Sequence, residues 1–133
     1  MATPKFVPRP HGIDKEFFQK AIATGKVHVQ RCSDCAHHQH PPRQFCATCG
    51  SRDLAFVSTN GQGSVYSWTV SHFTVDSGWV DDTPYATVVV EVAEGPRIVG
   101  CYSGDASTLE IGQTVSLRPE AKSEDFAFLW VDG

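Results

Sequence analysis

The sequence predicts a mainly β protein in three parts: an N-terminal helix, a cysteine-rich ribbon, and a small β barrel or sandwich. Three observations predict this class. The segment IDKEFFQKAIATGK carries apolar residues at helical spacing. Four cysteines follow in two Cys-x-x-Cys pairs. From residue 53 onward, short alternating apolar segments are separated by glycine-containing turns, a pattern typical of barrels and sandwiches rather than of βαβ units.

The overall composition is typical of one ordinary domain. The chain has 133 residues, of which 41% are apolar and 11% aromatic, enough to form a core. No apolar run reaches the roughly 18 residues that a membrane-spanning helix needs, and the N-terminal stretch MATPKFVPRPHG has no apolar signal segment. We therefore expect a cytoplasmic protein without membrane association. In a reducing cytoplasm, clustered cysteines are more often metal ligands than disulfides.

The first part, residues 1–27, is predicted to be a proline-containing arm followed by the helix. Asp14 is the predicted N-cap, and Gly25 is placed to end the helix. The helix has one apolar stripe, which must pack against other elements to be stable; it consists of Phe17, Phe18, Ala21 and Ile22. The segment VHVQRC follows as a short strand that leads into the cysteines.

The second part, residues 28–52, contains the strongest motif of the sequence. Two Cys-x-x-Cys turns ten residues apart can direct four thiolates at one ion, the tetrahedral set that Zn²⁺ favours. Four protein ligands leave no position for a catalytic water, so we predict a structural zinc site. A rubredoxin-like iron site is the main alternative, because sulfur ligation alone does not separate the two metals. The predicted ligands are Cys32, Cys35, Cys46 and Cys49.

Three histidines lie in the loop between the two cysteine pairs, at His37, His38 and His40. Because four cysteines are already available, we expect these histidines to be solvated and not to bind the metal. Pro41 and Pro42 stiffen the same loop. The segment contains too few apolar residues to form its own core, so the metal is expected to supply much of its folding free energy.

The third part, residues 53–133, is predicted to form the barrel. Its candidate strands are DLAFVS, SVYSWTVSHFTV, PYATVVVEV, RIVGCYS, TVSLRPE and FAFLWV, and the loop GDASTLEIGQ can hold one helical turn. The segment ATVVVEV is apolar on both faces at its centre, as a central strand would be. The strand count alone does not distinguish an OB barrel from another small barrel.

No catalytic residues are predicted. Cys101 lies within a strand pattern, where a free cysteine usually acts as a small buried apolar residue. His72 has no carboxylate neighbour in the sequence. The chain contains no Gly-x-Ser-x-Gly elbow, no Walker loop and no dinucleotide-binding glycine motif.

Several short motifs occur in the order known from one protein family. They are Gln30-Arg31-Cys32, Pro41-Pro42-Arg43, Gly61-x-Gly63-x-Val65-Tyr66-Ser67-x-Thr69, Pro84-Tyr85 and Ile111-Gly112-x-x-Val115. With these motifs the chain resembles the DUF35 family of zinc-ribbon and OB-fold proteins that are associated with acyl-CoA enzymes, from Phe17 to Val115. Three positions depart from the family pattern without removing a cysteine: Ala36, where glycine is frequent, Ala47, where proline is frequent, and Phe56, where tryptophan is frequent.

The resemblance implies a five-stranded OB-fold barrel after a rubredoxin-like zinc ribbon. It also implies a non-catalytic subunit that forms a hetero-oligomer with a thiolase-like protein, which supplies the catalytic residues. Such partners include thiolases, acyltransferases and the retro-aldolases of steroid side-chain breakdown. Some family members help to bind the CoA thioester, so acyl-CoA is an expected shared ligand.

The charge distribution suggests where such contacts lie. Residues 1–60 carry eight Lys/Arg against four Asp/Glu, whereas residues 61–133 carry three against eleven. Basic residues around the ribbon are the candidates for contacts with CoA phosphates or an acidic partner surface, although each is also consistent with a solvated surface charge; they are Lys26, Arg31, Arg43 and Arg52. Trp79 and Trp130 are candidate partner anchors, or else core residues.

The main alternative is a protein that binds single-stranded nucleic acid, because zinc ribbons and OB barrels are often used for that purpose. Tyr66 and Trp68 alternate along one predicted strand and could form a stacking platform. The acidic barrel half argues against this function, since phosphate binding requires an excess of cations. A third class, a rubredoxin-like electron carrier or a metal hydrolase, is distinguished by its metal content.

Overall fold

The computed structural model describes residues 3–133 and contains one α-helix and eight strands in that range. In chain order the elements are α1 (Gly12–Thr24), β1 (His28–Cys32), β2 (His38–Gln39), β3 (Leu54–Ser58), β4 (Gln62–Ser71), β5 (Tyr85–Val92), β6 (Arg97–Tyr102), β7 (Thr114–Ala121) and β8 (Ala127–Asp132). The predicted helical turn after β6 is a short 3-10 turn at Ala106–Thr108, and another lies at Val80–Asp82. None of the helices in residues 3–133 has the length and apolar character to cross a membrane.

Helix α1 ends where the sequence predicts but is capped differently at its start. Gly25 adopts a left-handed φ of 72°, and its N–H donates to the carbonyl of Ala21 at 2.8 Å. Glycine is favoured there because it has no Cβ to strain in that conformation. The prediction of Asp14 as the N-cap was wrong. His11 holds that position without a side-chain cap, and Asp14 lies in the first turn, where its charge still complements the helix dipole.

Helix α1 connects the ribbon to the barrel through its aromatic residues. The ring of Phe17 is buried, with its centroid 5.0 Å from that of His40 and 6.5 Å from that of Phe56, both on the ribbon side. The ring of Phe18 lies 4.8 Å from that of Phe126, next to β8. The predicted apolar stripe therefore packs against both parts of the molecule.

The ribbon contains a three-stranded antiparallel sheet in the order β2-β1-β3. We expected β3, the segment DLAFVS, to begin the barrel, but it pairs along the whole of β1 instead. Strand β1 lies between β2 and β3, so pairing with β3 satisfies the backbone groups along the second edge of β1. The register sets Val29 opposite Val57 and Gln30 opposite Phe56. The division of the chain at residues 27 and 52 stays a prediction.

The other five strands close into a barrel in the order β4-β5-β6-β8-β7. All neighbouring pairs are antiparallel except β6 and β8. The predicted fold class is thus confirmed: a mainly β chain with one N-terminal helix, a four-cysteine ribbon and a closed five-stranded barrel. Gly63 permits the close approach of β4 to β5, since a Cβ there would lie 2.4 Å from the carbonyl oxygen of Glu91.

One hydrophobic core serves both parts of the molecule. Val27 and Val29 from the ribbon side are fully buried in the same cluster as the inward-facing residues of the barrel, which include Val65, Val88, Val90, Ile98 and Val131. Burial of such side chains is the main source of stability. The ribbon is therefore fixed on the barrel by packing as well as by its own cysteine cluster.

Candidate metal centre and the clefts beside it

The four ribbon cysteines bring their sulfur atoms to one point. All four Sγ atoms lie within 4.8 Å of one another, and the pairs Cys32–Cys49 and Cys35–Cys46 are each 3.6 Å apart. A disulfide would need a separation of about 2.05 Å. Four thiolates at about 2.3 Å from a tetrahedral zinc would be about 3.8 Å apart, so the cluster fits one such ion.

The two Cys-x-x-Cys turns have the same backbone geometry. The N–H of Ala36 donates to the carbonyl of Cys32 at 2.9 Å, and the N–H of Gly50 donates to the carbonyl of Cys46 at 2.9 Å. The residue after each turn has a left-handed φ, 64° for Ala36 and 76° for Gly50. Ser51 also donates a hydrogen bond to Asp34, which ties the second turn to the first.

The first cysteine of each pair is electrostatically prepared to bind a metal. The backbone N–H of Cys35 donates toward the sulfur of Cys32 and lowers the pKa of that thiol. In the second turn, the backbone N–H of Cys49 lowers the pKa of Cys46 to about 6. Hydrogen bonds to the charged form favour the thiolate, which is the form that coordinates metals.

Ala36 is the one non-glycine residue with a positive φ in residues 3–133. An alanine in this conformation costs about 1–2 kcal/mol. We expect Ala36→Gly to stabilise the metal-loaded protein by up to about 1 kcal/mol in urea denaturation, after the greater freedom of glycine in the unfolded chain is subtracted. The matched control is Ala47→Gly, at a ribbon position without a positive φ. This substitution should not increase the free energy of unfolding. Equal effects of the two substitutions would contradict the strain argument.

Two buried glutamines hold the loop between the cysteine pairs. The Oε1 of Gln30 accepts from the N–H of Arg43 at 2.8 Å, and its Nε2 donates to the Arg43 carbonyl at 2.8 Å. Gln39 donates to Gln30 at 2.9 Å and to the Phe45 carbonyl at 3.2 Å, and accepts from the N–H of Ala47 at 2.9 Å. Gln30 was predicted only as part of a family motif, and Gln39 was not predicted. Gln30 lies between an apolar residue and the first cysteine pair, whereas no local signal marks Gln39, which lies between two histidines.

The three loop histidines lie outside the cluster of sulfur atoms, and the burial of His40 contradicts the expectation that all three are solvated. Each is half-buried, and all three line a cleft of about 650 Å³ between the ribbon loop and the turn from β5 to β6. His40 packs against Phe17, and burial lowers its pKa to about 4, an effect that the charge of Asp14 partly opposes. Burial lowers the pKa because the charged imidazolium loses its hydration.

The pKa of His40 predicts a pH-dependent stability. An unfolded histidine has a pKa of about 6.5, so below that pH the unfolded chain takes up a proton that folded His40 resists. Stability is complete above pH 6.5 and declines toward pH 4, by about 2 kcal/mol between pH 7 and pH 5. We measure the free energy of unfolding in urea at pH 7 and at pH 5. In His40→Phe, the decrease between the two pH values should be smaller than in the wild-type protein by about 2 kcal/mol. His11→Gln, at an exposed position, should keep the wild-type decrease; equal pH profiles for all three proteins would refute the assignment.

The structure brings together only part of the predicted basic group. Arg43 lines the 650 Å³ cleft, where Arg97 also lies, and it borders a smaller cleft of about 150 Å³ together with Arg52. Lys26 and Arg31 are exposed and line neither cleft. Arg97 was not among the predicted residues, because the sequence places it in the acidic half of the chain.

The larger cleft also contains an unsatisfied acceptor. The Oε1 of Glu94 is a buried side-chain oxygen without a hydrogen-bond partner within residues 3–133, while its Oε2 accepts from the N–H of Asn60 at 3.1 Å. A buried acceptor without a partner costs free energy unless a ligand or water supplies a donor. The cleft is thus lined by Arg43, by Arg97, whose Nε lies 3.2 Å from the Oε2 of Glu91, and by the carboxylates of Glu91 and Glu94.

The geometry disfavours the stacking platform of the nucleic-acid hypothesis. A register shift between Val65 and Ser67 separates Tyr66 from the regular pairing of β4 with β5. Trp68 packs against the core, whereas Tyr66 is exposed and has the guanidinium of Arg97 3.7 Å from its ring centroid. The two rings do not form the continuous free face that base stacking requires.

The two tryptophans belong to one aromatic cluster on the outside of the barrel. The ring of Trp79 lies 5.0 Å from that of Tyr85 and 5.6 Å from that of Phe128, and Phe128 lies 4.8 Å from Trp130. Both tryptophans are half-buried. Cys101 lines an apolar groove of about 330 Å³ beside this cluster, and burial raises the pKa of its thiol, consistent with a structural cysteine.

Two family models match the chain, one for each part of the fold. Residues 19–55 match the model described as the ChsH2 rubredoxin-like zinc ribbon domain, and residues 57–119 match that of the ChsH2 C-terminal OB-fold domain. The first match supports a structural zinc for the four-cysteine centre. The second assigns the closed barrel to the OB fold, which the strand count alone did not do.

A solved structure titled Ltp2-ChsH2(DUF35) aldolase superposes with a TM-score of 0.80 at 31% identity, over 93% of this chain and 98% of the matched chain. A probable enoyl-CoA hydratase alpha subunit from Thermomonospora curvata is 37% identical over 83% of this chain and 34% of its own length. A DUF35 domain-containing scaffold protein from Pyrococcus furiosus is 33% identical over 47% of this chain and 46% of its own length. The chain therefore spans about a third of the first curated relative and under half of the second.

The family assignment follows from the fold, the cysteine spacing and these matches together. Both parts of the chain match ChsH2 domain models in the order in which they occur here. The similarity extends over nearly the whole of a solved DUF35 chain at more than 30% identity. The chain belongs to the ChsH2-type DUF35 family, in which a rubredoxin-like zinc ribbon precedes an OB-fold domain.

Proposed function

We propose that this chain is a non-catalytic zinc-ribbon and OB-fold subunit of a cytoplasmic complex with a thiolase-like protein. The observation that carries the proposal is the similarity to the solved Ltp2-ChsH2(DUF35) aldolase, in which 98% of the matched chain is covered. The description of the Pyrococcus furiosus relative as a scaffold protein supports the same role. The partner supplies the reacting groups, and this chain shapes the assembly.

In this proposal the metal has a structural role. The four sulfur atoms of Cys32, Cys35, Cys46 and Cys49 surround one point and would complete the coordination of a zinc ion. The ion would supply folding free energy to the ribbon and hold the loop between the cysteine pairs, with no open position for a substrate. The two buried glutamines hold the same loop from its other side.

We further propose that the ribbon loop helps to bind the CoA moiety of an acyl-CoA substrate. Arg43 is the best-supported contact, because Gln30 fixes its backbone and its side chain borders both clefts. Arg52 and Arg97 each line one of these clefts. Guanidinium groups bind phosphates with two parallel hydrogen bonds, and CoA carries several phosphates. Lys26 and Arg31 line neither cleft, so the proposed CoA contact does not include them.

The test is affinity purification of the tagged full-length chain from its own cells, followed by mass spectrometry and native mass measurement. We expect a thiolase-like protein to co-purify in a fixed ratio. Within that complex, Arg43→Ala is expected to weaken acyl-CoA binding about tenfold, the loss of one charge-assisted contact. Lys20→Ala, an exposed charge on α1 away from both clefts, is the control and should leave the affinity unchanged.

The two parts of the proposal fail separately. Recovery of the chain without any thiolase-like protein would refute the assembly. Recovery of the complex with equal acyl-CoA affinity in the Arg43 and Lys20 variants would refute only the CoA contact.

A further inference from the structure

Exposed apolar side chains are concentrated on two short segments. Nine large apolar side chains are exposed in residues 3–133, and five of them lie on the N-terminal arm, residues 3–8, or on the loop from β4 to β5, residues 72–84. Val75 is 92% exposed, Phe73 80% and Phe6 78%. The other two are Val7 and Val80. Apolar residues clustered in this way mark an interaction site more often than single exposed ones do.

The arm is held against the loop by a specific contact. The Nζ of Lys5 lies 2.6 Å from a carboxylate oxygen of Asp82 and 4.8 Å from the ring centroid of Trp79. Gly78 lies beneath the arm, where a Cβ would come within 3.0 Å of the Lys5 Cα and the Pro4 carbonyl oxygen. The ammonium thus makes an ion pair and a cation–π contact at the same time. We refer to the arm and the loop together as the arm–loop surface.

The loop is compact despite its exposed apolar residues. The Oδ1 of Asp76 accepts from the N–H of Gly78 at 2.9 Å, and its carbonyl accepts from the N–H of Trp79 at 3.0 Å. The N–H of Asp82 donates to the Trp79 carbonyl at 3.0 Å. Consecutive hydrogen-bonded turns therefore order residues 76–82, which follow directly after Phe73 and Val75. A groove of about 590 Å³ runs beside the arm, with an apolar wall formed by Trp79, Phe126 and Phe128.

The charges on this surface indicate what it binds. Asp76 and Asp81 make no ion pair within residues 3–133, and Lys5 is already paired with Asp82. The arm–loop surface is thus apolar with an excess of negative charge. A complementary protein surface would present aliphatic side chains flanked by Lys or Arg, because such charges raise the association rate and exclude unsuitable partners.

We infer that the arm–loop surface is where the thiolase-like partner docks, through an apolar segment flanked by basic residues. This inference rests on the proposed function and adds which face of the chain the partner covers. The ribbon loop, on which Phe45 is also exposed, is left free for the CoA ligand. The contact between Lys5 and Asp82 holds the arm on the loop.

The experiment uses the full chain and the thiolase-like protein that co-purifies with it, measured by titration calorimetry and by stopped-flow association. Phe73→Ser/Val75→Ser changes only exposed side chains and should raise the Kd about thirtyfold or more, as for loss of central interface contacts. Asp81→Lys, at an exposed position whose side chain does not hold the loop, should slow association about threefold at low salt and less at high salt. The matched control, Phe45→Ser/Ile111→Ser, removes two exposed apolar residues elsewhere and should change the Kd less than about threefold.

Each outcome decides between the two claims. If the wild-type chain binds and the arm–loop variants bind equally well, the docking site is wrong while the proposed function stands. If the control variant weakens binding as much as the arm–loop variant, the site is also wrong, and the ribbon or the Ile111 loop is the interface. If the wild-type chain binds no thiolase-like protein, both claims fail. Circular dichroism of every variant separates loss of binding from loss of fold.

Discussion

Replacing Cys46 with serine is expected to abolish stoichiometric metal binding and to unfold residues 31–52. Cys46 is buried, and its sulfur belongs to the cluster whose four atoms lie within 4.8 Å of one another. Zinc binding to such a site contributes on the order of 10 kcal/mol to the folding of small zinc domains. Loss of one thiolate should therefore remove most of the free energy that holds the two Cys-x-x-Cys turns. Metal analysis and amide hydrogen exchange measure the two effects.

The fifth cysteine provides the matched control. Cys101 is half-buried on β6, outside the cluster, so Cys101→Ser should keep one metal ion per chain and lower stability by about 1 kcal/mol at most. Wild-type protein should contain zinc. Iron with a visible charge-transfer band would contradict the zinc assignment, and full protection of the ribbon amides in the Cys46 variant would contradict a stabilising role for the metal.

Replacing Gln30 with methionine is expected to destabilise the metal-loaded protein by about 3 kcal/mol or more. Methionine has nearly the same length and shape but cannot replace the hydrogen bonds of the amide. The substitution leaves the N–H and the carbonyl of Arg43 without partners and removes one acceptor from Gln39. These hydrogen bonds are partly or fully buried, and the loss of each costs about 1 kcal/mol or more. Urea denaturation measures the change in the free energy of unfolding.

Gln44→Met is the control for this substitution, since Gln44 lies in the same loop but is exposed. It should change stability by no more than about 0.5 kcal/mol. We also expect the amides of residues 40–47 to exchange faster in the Gln30 variant, because the loop loses its internal support. A loss below 1 kcal/mol with unchanged exchange would show that the glutamine pair does not position Arg43.

Much of the fold was predictable because it is specified locally. Cysteine spacing defines the ribbon, alternating apolar residues define the five barrel strands, and a glycine with a left-handed φ ends α1. Each of these features depends only on residues that lie close together in the sequence, so the sequence pattern is sufficient to predict it. The assignment of DLAFVS to the barrel failed, because which sheet a short strand joins depends on distant pairing that a local pattern does not contain.

The metal ligands of the site were predictable from the sequence, but the residues that hold the surrounding loop and line the cleft were not. The cysteine cluster followed from spacing alone, but the glutamine pair depends on a contact across thirteen residues, from Gln30 to Arg43. The partial burial of His40 depends on its packing against Phe17, which the sequence separates from it by more than twenty residues. Arg97 reaches the cleft from the opposite half of the chain. Tertiary packing brings these residues together, so sequence periodicity could not reveal them.

The central claim is that this chain assembles with a thiolase-like protein and leaves the chemistry to it. The most direct measurement is acyl-CoA turnover by the purified chain, by the purified partner and by the reassembled complex, at matched concentrations. We predict no turnover by the chain alone and full turnover only by the complex, with saturation at the stoichiometry of the assembly. Turnover by the chain alone in proportion to its concentration, or equal rates for the partner with and without the chain, would contradict the claim.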